Sequence, residues 1–294
     1  MAPPLLLSSG ERNLLESALA HLSGLEWRRV RTLLTGQTPE ETARATLEAF
    51  TCHVCPHYVA ESAHRLIAQT LDRVVAGELR RLMIFAPPQH GKSHLVSVSL
   101  PAYWMGQRPD DPVILTSYAA SLAEDKSRQV RQIVEGPEYA QLFPGITTRP
   151  DSRAKTLWHI AGRRGGMLAA GVGGPITGHG SLLGIIDDPV ENWEQAQSQT
   201  YRDRAWDWYR TTFRTRVWEG GAIVLIMPRW HKDDLAGRLL ADQAAAWEVL
   251  RLPAVAETQE ERNANDHGLG LPTGQPDPLG RAPGQPLCPQ RYSA

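Results

Sequence analysis

One ten-residue stretch constrains the fold of this chain more than any other feature: residues 85–94 read FAPPQHGKSH. The apolar run RLMIF leads into it, and the helix-compatible segment SHLVSVSLPAYW follows. A strand, a loop ending in Gly-Lys-Ser and a helix form the usual phosphate-binding arrangement, because backbone N–H groups at the helix start face the anion. The sequence therefore predicts a phosphate-binding loop over residues 86–93.

The loop departs from the usual pattern at its start, where Ala86 replaces the first glycine. That position needs only a small side chain. By contrast, Gly91 must let the backbone pass close to the phosphates, Lys92 must reach the β- and γ-phosphates, and the Ser93 hydroxyl must bind Mg²⁺. The alternative is a chance Gly-Lys-Ser triplet in a turn, which the flanking strand and helix disfavour. We expect ATP and Mg²⁺ as ligands, with nucleotide contacts from Pro88, Gln89, His90, Gly91, Lys92 and Ser93.

A second motif, LLGIIDDP at residues 182–189, has the form of an apolar strand that ends in two aspartates. In nucleotide-hydrolysing proteins, one such carboxylate holds the Mg²⁺ shell and the next can polarise the attacking water. We assign Asp187 to the metal and Asp188 to the water. A turn at the end of an ordinary strand is the alternative for this motif alone. The two motifs together, in this order, favour a P-loop ATPase site.

Short apolar runs separated by helical segments predict the fold class. The runs LMIF (82–85), VILTSY (113–118), LLGIID (182–187) and AIVLIM (222–227) indicate buried strands of a mostly parallel sheet. We expect helices after Lys92, over about 120–135 and through 192–216, and a hairpin over 156–172. The pattern predicts a three-layer α/β domain.

The two ends of the chain differ from this core. Residues from about 10 to 80 show helical periodicity, with Thr38 as a helix N-cap and Gly77 as a helix stop. After about Ala256 the sequence is rich in Pro, Gly and polar residues and has no periodicity, which predicts a linker or extended tail. We therefore divide the chain into a helical lid or docking region (1–60), an ATPase core (61–255) and the tail (256–294).

Composition excludes several classes of protein. The net charge of −1 gives no bulk signal for nucleic-acid binding, so any DNA contact must come from a local patch. Three cysteines do not support a disulfide framework, and no apolar run reaches the length of a membrane span. We expect a cytoplasmic protein. The stretch CHVCPH (52–57) offers zinc ligands, but a structural zinc site usually needs a second ligand pair, and the third cysteine lies in the proposed tail.

Several ordered segments carry a family resemblance. They are GELRRLMIFAPPQHGKSHLVSVSLPAYWMG, SYAASLAEDKSRQVR, LFPG, GVGGPITGHGSLLGIIDDP, RWHKDDLAGRLL and LPA, with a weaker continuation in GRAPGQPLCPQRY. Together they resemble the ATPase domain of the large subunit of phage terminase, over roughly residues 57–254. The resemblance implies a P-loop fold of the additional-strand class with a catalytic acid.

The resemblance also implies a function: a motor that couples ATP hydrolysis to movement of double-stranded DNA into a procapsid. The partners it implies are the portal protein, the terminase small subunit and further copies of the chain in a ring, with a monomer expected in isolation. The setting would be the cytoplasm of the bacterial host. Relatives normally carry a C-terminal nuclease, which we do not expect in this chain.

Residue roles carried over from the family include some departures. Asp188 stands where many relatives have a glutamate, and Gln89 and His90 occupy the part of the loop where relatives often carry an arginine. We expect the missing positive charge from elsewhere, with Arg128 and Arg131 as candidates for a finger that acts on a neighbouring subunit. The alternative for both is a solvated helix face that pairs with nearby acidic residues.

Two further positions follow from the same resemblance. Pro228 stands in the place of the coupling motif, where a small hydroxyl residue is usual, so a hydroxyl-based phosphate sensor is not expected. His64 falls near the adenine-contact position, with a purely structural role as the alternative. The rival functions are a helicase-like DNA translocase and a remnant that binds nucleotide or partners without turnover.

Overall fold

The computed structural model describes residues 36–151 and 154–291. The expected helix at residues 11–22 lies outside these residues. Within them, seven strands form one sheet in the order β3-β4-β2-β5-β6-β1-β7. All neighbouring strands are parallel except β3, which is antiparallel to β4. The strands are β1 (Arg81–Phe85), β2 (Val113–Ser117), β3 (Leu157–His159), β4 (Gly166–Gly171), β5 (Ser181–Asp187), β6 (Val217–Ile226) and β7 (Glu248–Arg251).

Helices cover both faces of the sheet. Among the described helices that precede β1, the third is the longest. This helix ends at Gly77, whose φ of 82° allows the left-handed C-cap. The helices are α1 (Pro39–Ala45), α2 (Leu47–Val54), α3 (Ser62–Ala76), α4 (Lys92–His94, a π-helical turn Leu95–Ser99, then Leu100–Gln107), α5 (Ala120–Val134), α6 (Pro137–Leu142), α7 (Trp193–Gln197), α8 (Gln199–Trp208, continued by a π-helical turn Tyr209–Phe213), α9 (Leu235–Gln243) and α10 (Gln259–Gly268).

Two hydrophobic clusters make this a three-layer structure. Alternate residues of β1 point to opposite faces, so Leu82 and Ile84 join one cluster while Met83 and Phe85 join the other. The first cluster includes apolar residues of α1 to α6, and the second includes residues of α8 and α9. The central strands are apolar on both faces, as a parallel sheet covered on both sides requires.

Most of the expected elements are present. The four apolar runs form β1, β2, β5 and β6, the segment over 156–172 forms the β3–β4 hairpin, and Thr38 caps α1 with a reciprocal bond to Glu41. The described part of the expected 1–60 region packs into the same cluster as the sheet, through residues such as Phe50. Its role as a lid or docking surface stays a prediction.

Two local expectations were wrong or incomplete. The single helix expected over residues 192–216 is broken at Ser198, whose extended backbone separates α7 from α8. Strand β7 was not expected, because its sequence EVLR is short and half polar. It forms because it pairs with β1 along its whole length, which is a tertiary contact.

The interpretation of residues 256–294 as a linker or extended tail was also wrong where the chain is described. Helix α10 begins with a reciprocal cap between Thr258 and Glu261. It is held to the sheet by an ion pair of 2.7 Å between Arg251 and Asp266, both almost fully buried. Because charged rather than apolar side chains fasten this helix, its sequence carries no hydrophobic periodicity that could have revealed it.

Candidate nucleotide site

The sheet brings the two sequence motifs together at the carboxyl ends of its central strands. The phosphate loop follows β1, the aspartate pair ends β5, and β6 lies between these two strands. At this edge the Ser93 hydroxyl donates a hydrogen bond of 3.2 Å to Oδ1 of Asp187. Two residues 94 positions apart in sequence are therefore in direct contact, close enough to bind one metal ion together.

Asp187 is fully buried, and polar groups from several elements bond to it. Its Oδ2 atom accepts a 2.6 Å hydrogen bond from the Ser97 hydroxyl and an ion pair from the Lys126 ammonium. Its carbonyl oxygen accepts a bond of 2.6 Å from the Ser117 hydroxyl. The carboxylate is thus held rigidly and its charge is balanced, which a buried acid needs in order to stay ionised.

Asp188 has an unusual backbone and an unusual environment. Its φ of 51° places a non-glycine residue in the left-handed region, and its N–H and carbonyl are fixed by Ile226 and Tyr118 at 2.9 Å each. Its Oδ1 atom is buried with no hydrogen-bond partner among the described residues. Burial raises its pKa to about 6; Asp187 adds to the shift, while Lys92 and Lys126 oppose it. A strained, unpaired acid with a pKa near neutral is suited to accept a proton.

The phosphate loop has the backbone shape that its sequence predicts. Gln89 has φ 62° and Gly91 has φ 74°, so both lie in the left-handed region. A Cβ atom on Gly91 would come within 2.7 Å of Nε2 of His64, so glycine is required for space as well as for conformation. Lys92 is only 5% exposed, and its charge acts on Asp188.

The side chain of His64 is hydrogen-bonded to the backbone of this loop. Its Nδ1 accepts the N–H of Glu61 at 3.0 Å, which leaves the proton on Nε2 to donate to the carbonyl of His90, also at 3.0 Å. Burial lowers the pKa of His64, so the ring stays neutral. This geometry supports the structural alternative for His64, and its contact with adenine stays a prediction.

The oxygen atoms around Asp187 suit Mg²⁺. A carboxylate and the hydroxyls of Ser93 and Ser97 are hard oxygen ligands, which this ion prefers. The Lys126 ammonium bonds the same carboxylate oxygen that faces Ser97, so it must give up that contact if the oxygen is to ligate a cation. Ser97, Ser117 and Lys126 were not among the expected site residues, and only Ser97 had a signal, because it follows Ser93 by one helical turn.

The expected finger arginines lie on the same helix as Lys126. Arg128 is about half exposed and pairs with Asp125, and Arg131 pairs with Glu135 at 3.6 Å. These contacts agree in kind with the alternative of a solvated helix face. A role for either arginine on a neighbouring subunit stays a prediction.

One other cluster could be taken for a metal centre. Glu61, His64 and Cys288 are all buried, with ligand atoms within 4.8 Å of one another. Both ring nitrogens of His64 are already hydrogen-bonded, and burial raises the pKa of the Cys288 thiol to about 11, which keeps it protonated. The cluster is therefore better suited to fastening the end of the chain than to holding a metal.

The fold and this edge of the sheet define the class: the chain has a P-loop fold with a mostly parallel, seven-stranded sheet in its described part. The profile of the family described as "Terminase large subunit, T4likevirus-type, N-terminal" matches residues 83–272, about two thirds of the chain. The chain belongs to this family of terminase large subunits.

A solved structure supports the fold. The large terminase of bacteriophage HK97 superimposes with a TM-score of 0.50 at 13% identity, covering 83% of this chain and 51% of that one. The large terminase of a thermophilic bacteriophage, solved in complex with ADP, gives a TM-score of 0.38 at 9% identity, covering 63% and 44%. The chain thus spans about half the length of these proteins. No curated protein matches it.

Across the described residues, no helix is both long enough and apolar enough to cross a membrane.

Proposed function

We propose that this chain is the ATP-hydrolysing motor domain of a DNA-packaging terminase. In this proposal it binds Mg·ATP at the edge of the sheet formed by β1, β5 and β6, and hydrolysis drives double-stranded DNA into a procapsid. The observation that carries the proposal is the direct contact between Ser93 and Asp187, with Asp188 alongside. Family membership supports it independently.

Each site residue has a role that its environment supports. The backbone N–H groups of the loop and Lys92 bind the β- and γ-phosphates, while Asp187 and Ser93 hold the metal. Bound Mg²⁺ would neutralise charge on those phosphates. Asp188 accepts a proton from the attacking water, because its Oδ1 atom has no hydrogen-bond partner among the described residues and its pKa is raised to about 6. Fixing these groups on strand ends and a helix start preorganises the site.

The proposed partners follow from the same assignment. They are double-stranded DNA, the portal protein, the terminase small subunit and further copies of this chain in a ring, with a monomer in isolation and the host bacterial cytoplasm as the setting. Arg128 or Arg131 would reach the site of a neighbouring copy. Because a neighbour completes the site in this scheme, we expect slow hydrolysis by the isolated chain.

Phosphate release with and without DNA, portal and small subunit tests the proposal. Lys92→Ala should abolish nucleotide binding and turnover, whereas Lys155→Ala, which removes an exposed lysine elsewhere, should leave both intact. A chain that binds nucleotide no better than Lys92→Ala would contradict the proposal.

Two observations favour a second candidate, a domain that binds nucleotide without hydrolysing it. The Lys126 ammonium already balances Asp187, and Asp188 is one methylene shorter than the glutamate of many relatives. Tight ATP binding with no phosphate release, even when all partners are present, would support that candidate.

A further inference from the structure

The last described residues of the chain return to the phosphate loop. The N–H of Leu287 donates a hydrogen bond of 2.8 Å to the carbonyl of Ala254. The side chains of Leu287 and Cys288 are buried in the first hydrophobic cluster. Two residues on, the N–H of Gln290 donates to Oε2 of Glu61 at 3.1 Å, next to the N-terminus of α3. The segment is therefore anchored on both sides of Cys288. Leu287 holds it to the chain after β7, and Gln290 holds it to the N-terminus of the helix that carries His64.

This anchoring places the side chain of Arg291 against the loop. Its Nη1 atom lies 3.5 Å from the position that a Cβ on Gly91 would take. His64 is affected by the same proximity: burial lowers the pKa of His64, and the charge of Arg291 lowers it further. Arg291 itself is exposed, so its donors are available to a ligand bound beside the loop.

The loop itself contributes little positive charge to a bound polyphosphate. Within residues 86–93, Lys92 is the one cationic side chain of fixed charge. A guanidinium presents several N–H donors in a planar fork that matches phosphate oxygens, and it keeps its charge at every physiological pH.

We propose that Arg291 binds the polyphosphate of the nucleotide held by the loop of the same chain, so that the C-terminal segment is part of the nucleotide site. The inference rests on the proposed function, because it needs a nucleotide at this loop. It assigns the role to a residue almost 200 positions from the loop in sequence, in the segment that its composition presents as a tail.

The test is ADP affinity measured by calorimetry on the full chain. Arg291→Gln keeps the length and polarity of the side chain without its charge, and it should weaken ADP binding by about tenfold or more, the effect typical of a lost charge-assisted hydrogen bond. Arg291→Lys should restore part of the loss. Arg149→Ala, which removes an exposed arginine paired with Asp151, is the matched control and should not change ADP affinity.

A second measurement shows whether the side chain sits at the loop in solution, independently of nucleotide. By NMR titration, the pKa of His64 should rise in Arg291→Gln, because a charge that lowers it is gone. Either wild-type ADP affinity or an unchanged His64 pKa in Arg291→Gln would overturn the inference.

The outcomes separate this inference from the function on which it rests. If the wild-type chain binds ADP, Lys92→Ala does not, and Arg291→Gln binds as the wild type does, the inference fails and the proposed function stands. If the wild-type chain and Lys92→Ala both fail to bind ADP, the proposed function fails and the inference fails with it.

Discussion

At the residue scale, the two aspartates of the site differ in how the charge of their buried carboxylates is balanced. The carboxylate of Asp187 is bonded by Ser93, Ser97 and Lys126, whereas Oδ1 of Asp188, its neighbour in sequence, has no hydrogen-bond partner among the described residues. Two adjacent carboxylates thus have opposite environments, one suited to holding a cation and the other to moving a proton.

The raised pKa of Asp188 predicts a pH dependence for ATP hydrolysis. A base must be deprotonated to act, so kcat/KM should be constant well above pH 6 and fall about tenfold per pH unit below it. Asp188→Asn should abolish turnover while it retains ATP binding. Asp125→Asn, an exposed acid on α5, is the control and should keep the wild-type profile. A profile flat down to pH 4.5 would rule out Asp188 as the base.

The ion pair between Lys126 and Asp187 predicts an effect on stability and on metal response. Lys126→Met leaves a buried carboxylate without its cation, so the metal-free protein should lose roughly 3–5 kcal/mol of unfolding free energy. Added Mg²⁺ and ADP should then raise the melting temperature more in the variant than in the wild type, because the cation replaces the lost charge. Equal shifts in the two proteins would mean that Lys126 and the metal do not share Asp187.

At the element scale, β5 and α8 are packed too closely to tolerate a side chain at one position. A Cβ on Gly184 would lie 2.9 Å from Cζ of Phe213 and from Cγ2 of Val217. Both neighbours are buried in the second cluster, so neither can move away freely. The identity of this residue is set by the approach of a helix to the sheet.

We therefore expect Gly184→Ala to lower the unfolding free energy by about 1–3 kcal/mol, the usual cost of overpacking. Gly268→Ala, at the end of α10, has no neighbour within 4 Å of its Cβ position and is the matched control, neutral or slightly stabilising. Chemical denaturation of the two variants measures the difference. A loss in Gly184→Ala no larger than in the control would show that β5 and α8 can separate without cost.

At the scale of the whole molecule, the chain after Ala256 is a structural part of the domain. Arg251 pairs with Glu257 at 2.6 Å and with Asp266 at 2.7 Å, and the segment ends against α3 through Gln290. The second half of this segment closes the first hydrophobic cluster with Leu287 and Cys288.

Truncation after Ala256 should therefore destabilise the rest of the domain, although the composition of the removed segment suggests a dispensable tail. It exposes apolar surface of the core and leaves Arg251 without either carboxylate, so a lower melting temperature and aggregation are expected. Thermal unfolding of the truncated and full chains gives the comparison. If the truncated chain melts at the same temperature as the full chain, the segment does not stabilise the domain and acts as a linker.

The phosphate loop, the paired aspartates and the alternating strands and helices could be predicted from the amino-acid sequence, because each depends on residues close together in the chain. The rest of the site depends on how the chain folds. Lys126 and Arg291 approach Asp187 and Gly91 from distant segments, and α10 is held by ion pairs that leave no periodic pattern. Contacts between distant charged residues depend on the fold that brings them together, so they cannot be read from local sequence.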